Sequence, residues 1–213
     1  MRLADYVIEF LEKKGIKTVF TVSGGGSIFL CDALYKAKKL KYIACHHEQA
    51  AAYAAEGFAR IKNKPGAALV TTGPGGTNAT SGVACCWIDS VPAIFISGQV
   101  FLNQTIGNSG VRQIGVQEFD IVSMVKKVTK YSTTITNINN IRYEFEKALY
   151  YAKSGRPGPV LIDIPMDMQW EQIDESKLTP FIPETIIESN VNEKILKDVK
   201  QYIMNSKTPI VVA

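Results

Sequence analysis

Four short apolar runs, at 18–22, 42–45, 67–71 and 92–97, alternate with three stretches of helical spacing, at 27–34, 48–61 and 77–87. The links between them are short. Strands that alternate with helices in this way form a parallel sheet whose crossover helices cover both faces. The expected fold class is therefore α/β, a three-layer open parallel sheet with helices on both faces. A preceding helix is marked by Leu3, Tyr6, Val7, Phe10 and Leu11 and stops at Gly15. Ser27 is expected to cap the helix that follows the first strand.

The pattern then changes. Residues 98–115 form a glycine- and asparagine-bearing loop without periodicity, too long for a routine connector and so a candidate functional segment. Beyond it, 116–126 reads as a helix and 130–135 as extended chain, and Ile141, Phe145, Leu149 and Ala152 mark a helix that ends at Gly155. The run 159–164, closed by Pro165, is the last strand of the domain. Residues 171–192 lose periodicity and read as an interdomain linker, followed by a short helix at 193–204 and an apolar run to the last residue. The expected organisation is a domain at 1–170, a linker and short helix at 171–207, and the first strand of a truncated further domain at 208–213.

Composition narrows the partners. The 213 residues carry a net charge of +4 from dispersed lysines, without the basic runs or aromatic-basic alternation that track a nucleic-acid backbone. Nucleic acid is not an expected partner. Cys31, Cys45, Cys85 and Cys86 show no C-x-x-C spacing, so neither a zinc site nor a disulfide framework is signalled and no metal ligands are assigned. The N-terminus is amphipathic from its first residues, and no stretch has the length needed to span a bilayer. The expected location is the cytoplasm, with no membrane partner.

Three strand ends carry the candidate chemistry. The first runs through Val22 and Ser23 into Gly24-Gly25-Gly26, and the second into His47-Glu48, where a carboxylate opens a helix rich in alanine. The third runs into Gly73-Pro74-Gly75-Gly76-Thr77-Asn78. A carboxylate at a strand-to-helix junction sits at the crevice of an open α/β sheet, the usual ligand position. Neither glycine turn satisfies the dinucleotide fingerprint, because its sixth position is Phe29 in one and Asn78 in the other. No Gly-Lys-Ser/Thr follows either, which excludes a nucleoside triphosphate phosphate loop.

The ordered combination resembles the pyrimidine-binding domain of thiamine diphosphate-dependent enzymes, most closely the acetolactate synthase and pyruvate oxidase group. The resemblance also takes in Ala54-Ala55-Glu56-Gly57-Phe58-Ala59-Arg60, Asp89-Ser90-Val91-Pro92, Gly98-Gln99-Val100, Gln117-Glu118 with Asp120-Ile121-Val122, and Ser154-Gly155-Arg156-Pro157-Gly158-Pro159-Val160. It implies that Glu48 is the catalytic glutamate, sharing a proton with N1′ of the aminopyrimidine so that the 4′-nitrogen can deprotonate thiazolium C2. For that task its carboxyl group is expected to be buried. Val22, Ser23 and Gly24 would line one wall of the cofactor site, Pro74 and Asn78 the other, and Gln117 would reach the reacting end. The substrate implied is a small 2-oxo acid such as pyruvate, within branched-chain amino acid biosynthesis.

The same resemblance implies limits. Diphosphate and its Mg2+ are held in this family by a different domain, in another subunit, marked by Gly-Asp-Gly, and no Gly-Asp-Gly occurs in this sequence. The chain is thus expected to hold half an active site within a homo-oligomer; FAD is possible in the group but not indicated here. Val22-Ser23 stands where acetolactate synthases carry Tyr-Pro, and 111–115 resembles an insertion. Arg112 in that segment is a candidate carboxylate anchor, and His46 and His47 are expected to orient the turn at Glu48. A sugar-pathway carboligase, an oxalyl-CoA-type lyase and a non-catalytic subunit of a split enzyme share these motifs and stay open.

Overall fold

Six strands, β1 (Thr18–Thr21), β2 (Lys41–Ala44), β3 (Gly66–Val70), β4 (Ala93–Gln99), β5 (Tyr131–Thr134) and β6 (Pro159–Pro165), form one sheet in the order β2-β1-β3-β4-β6-β5. Every neighbouring pair is parallel. The computed structural model describes residues 1–183 and 192–210. Met1–Ile182 make one unit that contains the whole sheet, and Pro183–Ala213 a second.

Alternation of side chains across the pleat builds two cores. Along β4, Ile94 and Ile96 enter a core with helices α1 (Leu3–Lys13), α2 (Ile28–Lys36) and α6 (Ile141–Lys153). Ala93 and Phe95 point the other way, toward α3 (Glu48–Lys62), α4 (Pro74–Ile88) and α5 (Ile121–Val125). The first core is filled by large residues: Phe10 of α1 meets Phe145 of α6 edge-on, with ring centroids 5.4 Å apart. The second is lined by Ala51, Ala52, Ala55 and Ala59, and there α3 and α4 pack with almost no side chain between them. A Cβ on Gly82 would stand 2.5 Å from the Cβ of Ala52. The three-layer reading holds, and the small residues of α3 are used for packing inside the domain.

Three local expectations differ from the structure, and a fourth falls partly outside the described residues. The helix expected at 116–126 is only Ile121–Val125. Upstream of it Gln117 has φ +60°, which no helix accommodates, and the Glu118 carboxylate accepts from the backbone N–H groups of Ile106 and Ile114. Asp120 starts the helix instead, its Oδ1 accepting from Ser123 N at 2.9 Å. Ser27 precedes α2 but does not cap it, because its hydroxyl donates back to the Gly24 carbonyl at 3.3 Å. The segment after 170 is not a free linker: Ile173 and Leu178 are buried in the α1 core, and Ile173 N donates to Met1 O at 2.9 Å. Of the strand expected at 208–213, residues 211–213 lie outside the described residues and 208–210 are not in a strand.

In the first unit a short helix, α7 (Met166–Trp170), follows β6 directly. The described helix of the second unit is α8 (Glu193–Asn205), capped by Asn192 Oδ1, which accepts from Lys194 N and Ile195 N. No described helix is long and apolar enough to cross a membrane. The close contact of α3 with α4 is open to test. Gly82→Ala should destabilise the fold by about 1–3 kcal/mol, as overpacking does, and Ala52→Gly in that background should restore part of the loss. Urea unfolding midpoints check both; an unchanged midpoint for Gly82→Ala would contradict the packing described.

Candidate functional site

β1 and β3 are neighbours, yet the chain leaves β1 for α2 on one face and β3 for α4 on the other. Their C-terminal ends therefore open a crevice, the point where ligands bind in open α/β sheets. The β1–α2, β2–α3 and β3–α4 junctions all reach it.

Glu48 is the first residue of α3. His47 caps that helix from an extended backbone conformation (φ −155°, ψ 143°), its Nδ1 accepting from Gln49 N at 3.2 Å. A ring nitrogen that accepts must carry a lone pair, so the tautomer with hydrogen on Nε2 is the one that caps. The cap holds the carboxylate at the positive end of the helix. Asn78 of α4 donates its Nδ2 to Glu48 Oε2 at 3.0 Å, and Oε1 accepts no hydrogen bond among the described residues. Glu48 itself is half-buried rather than buried, because the crevice opens at the end of the sheet where this unit places no further layer.

The third junction is built differently from a simple turn. Pro74 is the first residue of α4, exposed, with its missing N–H at a position where none is needed. Gly73 before it has φ +58° and ψ −117°, and a Cβ there would lie 2.1 Å from the carbonyl oxygen of Gln117. Only glycine allows both the conformation and the approach. The backbone of Gln117 is thereby set against the start of α4, while its side chain is exposed.

Thr71 stands at the centre. A Cβ on Gly24 would be 2.4 Å from its Cγ2, and one on Gly75 would be 2.8 Å from Cγ2 and 3.8 Å from Glu48 Oε1. The Thr71 hydroxyl is buried and has no hydrogen-bond partner among the described residues. Val22, half-buried, and Ser23, exposed, lead from β1 into Gly24. The structure thus gathers Gly24, Glu48 and Asn78 around Thr71, with Pro74 and the Gln117 backbone at the adjoining helix start. Arg112 is exposed and in no ion pair among the described residues. Among the described residues no group of three or more His, Cys, Asp or Glu side chains could hold a metal ion.

Beneath the crevice lies a buried polar network that motif reading missed. Asp163 of β6 is 2% exposed and accepts from Ser97 Oγ at 2.5 Å and from Gln99 Nε2 at 3.1 Å. Gln99 Oε1 in turn accepts from Thr72 Oγ1 at 2.5 Å. Burial pushes the Asp163 carboxyl up to about 7, against the bonds donated by Ser97 and Gln99, which favour the charged form. The available signal was a single carboxylate inside the apolar run 160–164.

The class of protein that this crevice belongs to is shown by comparison. Residues 1–124 match the thiamine pyrophosphate enzyme N-terminal TPP binding domain, and the chain belongs to that family. Among its relatives, the chloroplastic acetolactate synthase of Arabidopsis thaliana is 40% identical over 176 residues, 79% of this chain and 25% of that protein. A probable acetolactate synthase large subunit of Methanocaldococcus jannaschii is 36% identical over 221 residues, covering 100% of this chain and 36% of the relative. The acetolactate synthase isozyme 3 large subunit of Escherichia coli is 33% identical over 98% of this chain and 36% of its own length. The chain thus spans between a quarter and about a third of the length of these relatives.

The buried carboxyl of Asp163 gives the fold a pH dependence. Its pKa is raised from the ordinary 3.8 to about 7, so the folded state holds a proton that the unfolded chain releases. Its contribution is greatest below the ordinary value and is lost as pH rises toward 7. Asp163→Asn keeps the hydrogen-bonding capacity and removes the ionisation. Its stability relative to the parent should improve from about pH 4 to about pH 7, by at most about 1.4 kcal/mol per pH unit. Urea unfolding across that range checks it; parallel pH profiles for the two proteins would show that Asp163 carries no such linkage.

Proposed function

We propose that this chain is the N-terminal part of a thiamine diphosphate-dependent 2-oxo acid decarboxylase or carboligase of the acetolactate synthase kind, in which it binds and activates the aminopyrimidine end of the cofactor. The observation that carries the reading is the Glu48–Asn78 pair at the β1/β3 crevice. The site fits an aminopyrimidine: one carboxylate oxygen is occupied by Asn78, and among the described residues the other accepts nothing and the Thr71 hydroxyl has no partner. An unpaired polar group in such a place is costly without a partner.

In this reading Glu48 shares a proton with the ring nitrogen that reaches it, and Asn78 fixes the orientation of its carboxylate. The helix dipole of α3 and the bond from Asn78 both act on that carboxylate, holding it in one rotamer ready for proton transfer. Gly24, with Val22 and Ser23, forms one wall; Pro74 and Asn78 form the other; Gln117 projects toward the reacting end. When bound, thiamine diphosphate supplies the nucleophilic carbon that 2-oxo acid chemistry requires. We assign its diphosphate and Mg2+ to another domain, contributed by a partner subunit of a homo-oligomer, and no residue of this chain to FAD. We assign the enzyme a small 2-oxo acid as substrate, in line with its acetolactate synthase relatives, and a place in the cytoplasm.

Glu48→Gln in the complete enzyme should leave the fold intact and slow exchange of the cofactor C2 proton by about a hundredfold or more, since an amide cannot pass on a proton. NMR of the bound cofactor reads this directly, and unchanged exchange would remove Glu48 from the mechanism. The 213-residue chain alone should bind thiamine diphosphate with Mg2+ only weakly and turn over no pyruvate. Calorimetric titration tests that expectation, and tight stoichiometric binding would overturn the assignment of the diphosphate to another domain.

A further inference from the structure

Gln99 ends β4 and is 3% exposed, with both ends of its amide engaged. Oε1 accepts from Val100 N at 3.0 Å and from Thr72 Oγ1 at 2.5 Å; Nε2 donates to Asp163 at 3.1 Å and to the Phe119 carbonyl at 2.9 Å. A backbone N–H only donates and a carbonyl only accepts, so Val100 and Phe119 together determine which end of the amide faces which way. We propose that Gln99 is a positioning residue for Gln117: it tethers the 115–119 turn to the sheet, and Asp163 and Thr72 hold the amide in the orientation that does so. The proposal rests on the reading of Gln117 as a residue of the cofactor site.

The turn has little else to hold it there. Gln117 sits at φ +60°, a conformation that costs a non-glycine residue about 1–3 kcal/mol and persists only where its surroundings impose it. The other hydrogen bonds of the turn, among them those from Gly115 N to Gln104 O, from Gln113 Nε2 to Gly115 O, and from Ile106 N and Ile114 N to the Glu118 carboxylate, tie it to its own loop and to the start of α5. Among the described residues, the bond from Gln99 to Phe119 is the hydrogen bond that joins it to a strand. It acts two residues from Gln117, on the segment that packs against Gly73. An error in that tether is transmitted to both Gln117 and the start of α4, which carries Asn78.

Substitutions that change single atoms separate positioning from bulk stability. Gln99→Glu sets an oxygen against the Phe119 carbonyl, so the tether becomes repulsive. Asp163→Asn alone keeps it, since the new amide can offer its oxygen to Gln99 and its nitrogen to Ser97. In the double variant that nitrogen can turn to the carboxylate introduced at position 99, but nothing at position 99 then donates to the Phe119 carbonyl, so Asp163→Asn should not restore the tether. Amide hydrogen exchange on this chain should rise at least about tenfold at 116–119 in Gln99→Glu, with β3, β4 and β6 near parent values, stay raised in the double variant, and keep parent values in Asp163→Asn alone. A uniform rise across all strands, or parent values at 116–119 in either variant that carries Gln99→Glu, overturns the proposal. Gln99→Met, which deletes the tether without adding charge, replaces Gln99→Glu if the latter fails to fold.

In the complete enzyme Gln99→Glu should lower kcat while the unfolding midpoint stays above the assay temperature. If Glu48→Gln abolishes C2 proton exchange and Gln99→Glu leaves kcat and KM unchanged, the tether is wrong and the proposed function stands. If Glu48→Gln leaves exchange intact, it is the proposed function that fails, while the exchange pattern at 116–119 still decides the tether.

Discussion

The parallel pairing of β1 with β3, in which Phe20 lies beside Ala68 and Thr21 beside Leu69, is the contact from which the site follows. These strands are not consecutive: the chain must leave β1, build α2 and β2 on its outer side, and return across β1 through α3. Because that return crosses the opposite face, the helices after β1 and β3 diverge and leave their strand ends open. Gly24, Glu48 and Thr71, far apart in sequence, become neighbours for this one reason. A sheet in strict sequential order, with all helices on one face, would offer no such crevice.

The two faces of the sheet do different work with different residues. The α1/α2/α6 face is filled by large residues, among them Leu3, Leu11, Phe10 and Phe145, whose burial removes large apolar areas from water. The α3/α4 face is lined by alanine and glycine, which contribute less area but let the helix backbones approach the sheet and each other. Close approach keeps the N-termini of α3 and α4 near enough for Asn78 to reach Glu48. One face stabilises and the other places.

Polar groups at the C-terminal edge carry the cost of that placement. Asp163 is held in surroundings that oppose its ionisation, Gln117 in a left-handed conformation, and the Thr71 hydroxyl without a partner among the described residues. Each departs from what stability alone would select, and all three lie at or just beneath the crevice. Departures of this kind concentrate at functional sites because the surrounding fold holds them there. The network from Ser97 through Asp163 and Gln99 to Thr72 stiffens three adjacent strand ends, since every polar atom of Gln99 has a partner.

What the sequence determined by itself is what depends on neighbours along the chain. The alternation of strand and helix, the parallel sheet, Glu48 at a strand-to-helix junction and α8 beginning at Glu193 all follow from periodicity and local breakers. The motifs also placed Asn78 and Glu48 in one site, though not their bond. Tertiary structure alone decided the rest. It shortened the expected 116–126 helix to Ile121–Val125, because the Glu118 carboxylate found backbone donors in a loop that periodicity does not describe. It drew Ile173 and Leu178 into the α1 core, since burial rewards apolar residues wherever the chain can bring them. It left Glu48 half-exposed and hid Asp163, because burial is set by which layers lie above a residue, and a strand's own pattern records only the faces of its sheet.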